Sequence, residues 1–168
     1  MKQYVLGFAL YQTKILLILK ARPEFQKGFL NGVGGSIEVG ETPEKAMARE
    51  FKEETNIFIS QSSWNSLGLL LDPHIDTLPD VYCFYAFLRK YEYIQLCDYI
   101  NSGTTFSEGE PLIFLDIYKN LEKFHNTNKL MYNIFDIVID MVDRLYPRYQ
   151  KIVTDHQPIK RLRSIEGN

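Results

Sequence analysis

Several kinds of protein are excluded by what this sequence has little of. Cysteine occurs only as Cys83 and Cys97, too few for a disulfide-stapled scaffold, and both are expected to be reduced, buried thiols of a cytosolic protein. No apolar run approaches the roughly 20 residues that a membrane-spanning helix needs, and Met1-Lys2-Gln3 leads into an apolar strand pattern rather than a signal peptide. An excess of one charge is missing too: 19 basic and 21 acidic residues leave a net charge of −2, so no overall positive field advertises nucleic acid. Internal repeats and low-complexity blocks are absent. What remains is an ordinary globular composition, 45% hydrophobic and 24% charged over 168 residues, enough for one domain with its own core. A soluble, cytoplasmic protein is the expectation.

Periodicity then divides the chain. Residues 4–11 and 14–20 read as buried strands joined by a tight turn at Gln12-Thr13. A loop, ARPEFQKGFLNGVGG, delivers the chain to Gly34-Gly35, where missing side chains let backbone approach a ligand closely. Further strands are expected at 65–72, 80–89 and 112–117, while 91–100 suits either a strand or a short helix. Apolar residues from Leu130 to Leu145 recur at helical spacing, predicting a core helix over about 129–146 that Pro147 ends. Strands with interspersed helices make an α/β fold of residues 1–147. The tail, 148–168, is locally basic through Arg148, Lys151, Lys160, Arg161 and Arg163 and is expected to be frayed or partner-dependent. His74 and Asp76 offer two metal donors without a third, so that segment reads as a plain loop.

The chemistry concentrates between Gly35 and Ile57. Thr42-Pro43 suits a helix start, since threonine caps free backbone donors and proline at the first helical position lacks an N–H that would go unused. The helix is expected to run to about Thr55, with Asn56 ending it in a left-handed conformation. In that register Glu50, Glu53 and Glu54 share one helix face, an unfavourable clustering unless a cation neutralises it. Carboxylates without histidine or cysteine select a hard cation, magnesium or manganese, of the kind bound through substrate phosphates. Glu41 and Arg49 are placed to orient these carboxylates from behind through an ion pair.

The segment resembles the Nudix box, GX5EX7REUXEEXGU, in which U is a bulky apolar residue. Gly35, Glu41, Arg49, Glu50, Phe51, Glu53, Glu54 and Ile57 fall in register. Asn56 stands in place of the usual glycine, a change expected to cost a little stability rather than activity, because asparagine tolerates positive φ. The resemblance implies an α/β/α Nudix sandwich around a mixed sheet. It also implies an Mg2+-dependent pyrophosphohydrolase, with Mn2+ able to substitute. Glu53, Glu54 and the carbonyl of Gly34 are then metal ligands, Glu50 is a third ligand or the general base, and Glu108 completes the metal site or acts as base, so that Glu50, Glu53 and Glu108 are the catalytic candidates. Glu110 is the alternative to Glu108.

Substrate contacts implied by the same resemblance are Lys20 for phosphate, with Arg22 as competitor, and Asn31 and Asn133 for a base edge. The string LNGVGG looks like that of enzymes that sanitise oxidised purine nucleotides, and Phe25, Phe29 and Tyr82 are candidates for an apolar wall. A loop asparagine bonding its own backbone is the competing account of Asn31. Trp64 is expected only to pack. The expected reaction is cleavage of a nucleoside triphosphate, modified or not, to the monophosphate and pyrophosphate. Hydrolysis of ADP-ribose or another nucleoside diphosphate sugar is the alternative, to which Pro73 lends slight support, and a non-catalytic nucleotide- or RNA-binding module is a third. The expected partner is the nucleotide substrate, with neither membrane nor nucleic acid, and a homodimer is plausible from the family.

Overall fold

The computed structural model describes residues 2–70, 79–106, 109–131, 133–146 and 162–163. Strand β1 (Tyr4–Tyr11) turns through Gln12, at a φ of 54°, into the antiparallel strand β2 (Lys14–Leu19). Both are apolar without alternation because both faces are covered. The other strands are β3 (Leu30–Asn31), β4 (Asn65–Leu70), β5 (Val81–Phe87), β6 (Leu112–Asp116) and β7 (Leu162–Arg163). Among the described residues they form one mixed sheet, ordered β3-β2-β1-β5-β4-β7, with β6 also paired to β2. Among the strand pairs of the described residues, only β1–β5 is parallel.

Four helices complete the fold among the described residues: α1 (Pro43–Thr55), α2 (Lys90–Ser102), α3 (Ile117–Asn126) and α4 (Ile134–Leu145). Alternate residues of β1 and β2 feed two cores. Leu6, Phe8, Leu10, Ile15 and Leu17 pack with Ile134, Ile137, Val138 and Met141 of α4. Val5, Ala9, Leu16 and Ile18 pack with Ala46, Met47 and Phe51 of α1 and Leu96 of α2. Helices therefore cover both faces, the expected α/β/α sandwich. Phe51 is fully buried, its ring edge-on to Trp64 at 5.2 Å between centroids. Phe51→Ala is expected to cost about 3–5 kcal/mol, read as a lower urea midpoint at unchanged m-value.

Several boundaries differ from the sequence expectation, each for a local reason. Residues 90–102 are helical: the Glu92 carboxylate accepts the Arg89 N–H at 2.6 Å and closes the first turn, and Leu96 is buried toward α1. The last helix starts at Ile134 rather than 129, because the preceding segment pairs with β3. Leu30 N–H donates to the Lys129 carbonyl at 2.7 Å, and Met131 N–H to that of Leu30 at 3.0 Å. Helix α3 and strand β3 were not expected. For α3 the cue was Asp116, whose carboxylate accepts the Lys119 N–H at 3.1 Å at the helix start. Within the tail, Leu162–Arg163 pair with Leu70 and Leu69. The boundary at 147/148, the remaining tail, Pro73, His74 and Asp76 lie outside the described residues. No helix among the described residues is long and apolar enough to cross a membrane.

Candidate active site

Helix α1 organises the site, and its ends follow from local sequence. The Thr42 hydroxyl accepts the Lys45 N–H at 3.4 Å, Pro43 opens the helix, and Asn56 closes it in the left-handed region, at φ 54° and ψ 19°. Its N–H donates to the Lys52 carbonyl at 2.8 Å. Gly7 of β1 sets how closely α1 approaches the sheet: any side chain there would run into Met47 and Trp64. Met47 and Phe51 are buried against the sheet and Glu54 is buried with them, Arg49 and Glu50 are half-buried, and Glu53 is exposed.

Arg49 is the hub of the outer face. Its Nε and Nη2 donate to the two carboxylate oxygens of Glu41 at 2.9 and 3.0 Å, a two-pronged pair. Nη1 reaches Glu50 at 2.8 Å and Glu53 at 3.3 Å, and Nη2 also meets the Ser36 carbonyl at 2.9 Å. The Arg49 guanidinium holds the Glu41 carboxyl below its ordinary range, while Glu41, then Glu50, push Arg49 further above its own. Gly35 is a positional requirement here, because a Cβ would occupy the space of the Glu50 carboxylate.

Glu54 belongs to a second, buried group. Its Oε2 accepts the Gly34 N–H at 3.1 Å, and its Oε1 lies 3.6 Å from the Lys20 ammonium. Lys20, only 9% exposed, sits 2.6 Å from Oε2 of Glu110. The other Glu110 oxygen accepts the backbone N–H groups of Ala21 at 2.6 Å and Arg22 at 3.3 Å. Lys20 is thus no exposed strand-end lysine. Gly34 has no room for a side chain either, since its Cβ would press on the Val5 carbonyl.

The three glutamates expected on one helix face thus differ in their partners, Glu50 and Glu53 meeting Arg49 and Glu54 meeting Lys20 and the Gly34 N–H. Among the described residues no three Asp, Glu, His or Cys side chains group tightly enough to cage a cation. Yet the donors are carboxylate oxygens, and the space that Gly35 leaves is filled by Glu50. Such a set fits a hard cation that keeps waters and shares its coordination with phosphate, rather than one enclosed by protein. Glu53 borders a cleft of about 430 Å3 also lined by Arg49, Lys52, Asn56 and Phe106. Glu108 lies outside the described residues.

The remaining candidates stand apart from this cluster. Asn31 Oδ1 accepts the neighbouring Gly32 N–H at 2.9 Å, and its amide nitrogen donates to Gln26 at 3.3 Å. Asn133 precedes α4 without capping it through its side chain. The Leu30–Leu130 bridge runs these two segments side by side. Phe25 is exposed, and Trp64 is buried in the α1 core as expected. Sequence reasoning did not single out Gln26, Lys52, Phe106 or the Ser36 carbonyl. None carries a spacing signal, since each enters through a loop or a helix neighbour.

Residues 1–101 match the NUDIX domain. A search of curated proteins finds no match. Among solved structures, the chain resembles a MutT/nudix family protein from Enterococcus faecalis at a TM-score of 0.60 and 18% identity, covering 91% of this chain and 67% of that one. It also resembles a NUDIX family hydrolase from Clostridium perfringens at 0.58 and 20%, covering 86% and 97%. A MutT protein from Bacillus halodurans gives 0.55 and 19%, covering 84% and 80%. At these identities the structural matches speak for the shared fold. With the domain match across most of the chain and the box residues ordered around Arg49, the protein belongs to the Nudix family, whose hydrolases act on nucleoside diphosphates linked to a further group.

Proposed function

We propose that this chain is a divalent-cation-dependent pyrophosphohydrolase that cleaves a nucleoside triphosphate, modified or not, to the monophosphate and pyrophosphate. The observation that carries this reading is the Arg49 hub, which holds Glu41, Glu50 and Glu53 in one ordered array next to an open cleft. Glu50, Glu53 and Glu54, with the Gly34 backbone, are the groups that would hold Mg2+, or Mn2+ in its place. When bound, such a cation neutralises phosphate charge and acidifies coordinated water.

The chain's own residues supply position. Arg49 orients the Glu50 and Glu53 carboxylates, and Glu50, set against Gly35, is a base candidate. Lys52 lines the cleft from the same helix and offers a cation to the phosphates. Asn31 and Asn133, on neighbouring segments, are the candidates for reading a base, with Gln26 orienting the Asn31 amide. Little covalent chemistry falls to the protein in such a reaction; placement of charge is most of the work.

The test is a screen of canonical and oxidised dNTPs, ADP-ribose and dinucleotides with Mg2+, resolved by chromatography. Monophosphate and pyrophosphate from a triphosphate are expected. Preferential cleavage of ADP-ribose would replace the substrate assignment, and nucleotide binding without product under Mg2+ or Mn2+ would replace the enzyme reading.

A further inference from the structure

A cation already sits beside one of the glutamates. The Lys20 ammonium lies between two carboxylates, 2.6 Å from Glu110 and 3.6 Å from Glu54. All three side chains are buried, and they come from three places in the chain: the residue after β2, the C-terminal turn of α1, and the residue before Pro111. Glu110 is anchored independently of Lys20, through the Ala21 and Arg22 N–H groups. Glu54 is held from its other oxygen by Gly34.

We propose that Lys20 is a resident counter-ion of Glu54 that an incoming divalent cation displaces, and that Glu110 is the positioning carboxylate that retains the ammonium. The inference rests on the cation-dependent reading above and goes beyond it by assigning a role to Glu110. The unequal distances carry it. Lys20 is already closer to Glu110, so withdrawal from Glu54 needs no new partner and leaves no buried ammonium unpaired. Without Glu110, the same ammonium keeps its contact with Glu54 and competes directly with the metal there. Without Lys20, Glu54 and Glu110 face one another across the vacated position, and a divalent ion relieves their repulsion.

The two single substitutions therefore act in opposite directions. Glu110→Gln keeps an acceptor for the Ala21 N–H but weakens the hold on Lys20, and should weaken Mn2+ binding about 10-fold. Lys20→Met should tighten it about 10-fold. The readout is Mn2+ alone added to the nucleotide-free chain, followed by electron paramagnetic resonance, with circular dichroism confirming folding. Because Lys20→Met leaves two facing carboxylates and can unfold the chain, the double variant Lys20→Met/Glu110→Gln serves as the second arm. It should bind Mn2+ at least 10-fold more tightly than Glu110→Gln alone. Weakening by both substitutions marks a merely structural pair, and unchanged affinity in both marks Lys20 as a contact for phosphate; either overturns the inference. Absence of Mn2+ binding by the unaltered chain overturns the cation-dependent function itself.

Discussion

Glu53→Gln is expected to lower kcat by on the order of 10³-fold, while the melting temperature stays within about 2 °C. The asymmetry follows from its surroundings. Glu53 is 49% exposed and pairs with Arg49 at 3.3 Å, an i,i+4 pair of the exposed kind that contributes about 0.3–0.5 kcal/mol. The fold therefore loses little when the charge goes. On the proposed reading the reaction loses much, because glutamine keeps the shape and one acceptor but not the negative charge that would hold a divalent ion against phosphates. The measurement pairs initial rates at saturating Mg2+ with thermal melting. A variant retaining a tenth of the kcat would remove Glu53 from the metal set.

Arg49→Ala should damage both properties. The guanidinium joins Glu41, Glu50, Glu53 and the Ser36 carbonyl, and its removal takes a charged hydrogen-bond partner from two half-buried carboxylates. Lying between fully buried and surface pairs, the loss is expected to reach about 2–3 kcal/mol, with kcat/KM falling about 10–100-fold as the carboxylates lose their orientation. Arg49→Lys should recover little, since an ammonium cannot make the two-pronged pair with Glu41 while reaching Ser36.

The pH dependence gives an independent check on the same residue. Glu41 has a lowered folded-state pKa, so its contribution to stability is present above its ordinary value of 4.5 and lost as pH falls below it. Arg49, raised from an already high value, stays charged throughout that window. As pH falls below about 4.5, the unaltered chain should therefore lose stability more steeply than Arg49→Ala, which lacks the pairing that lowers Glu41. Parallel curves from urea unfolding across that range would count against the Glu41–Arg49 pair as the main acid-sensitive link.

Much of the architecture was legible because the cues were local. The β1–β2 hairpin, both ends of α1 and the left-handed Asn56 follow from apolar runs, Thr42-Pro43 and the steric tolerance of asparagine, none of which depends on distant contacts. The extent of α4 was misread because the helical spacing of its apolar residues gives no sign that Lys129–Met131 pair with β3. Residues 91–100 stayed ambiguous for a similar reason: aromatic and apolar residues suit either state, and the Glu92 cap together with burial of Leu96 decided it.

The same division runs through the site. Spacing along one helix was enough to put Arg49, Glu50 and Glu53 on a shared face and to mark the chain as a Nudix protein, since i, i+3 and i+4 neighbours meet wherever the helix goes. Tertiary structure alone decided that Glu54 accepts from Gly34 and meets Lys20, that Lys20 is buried, and that Glu110 lies against it. Those contacts join residues far apart in the chain, and their energies depend on distance and desolvation, which no linear pattern records.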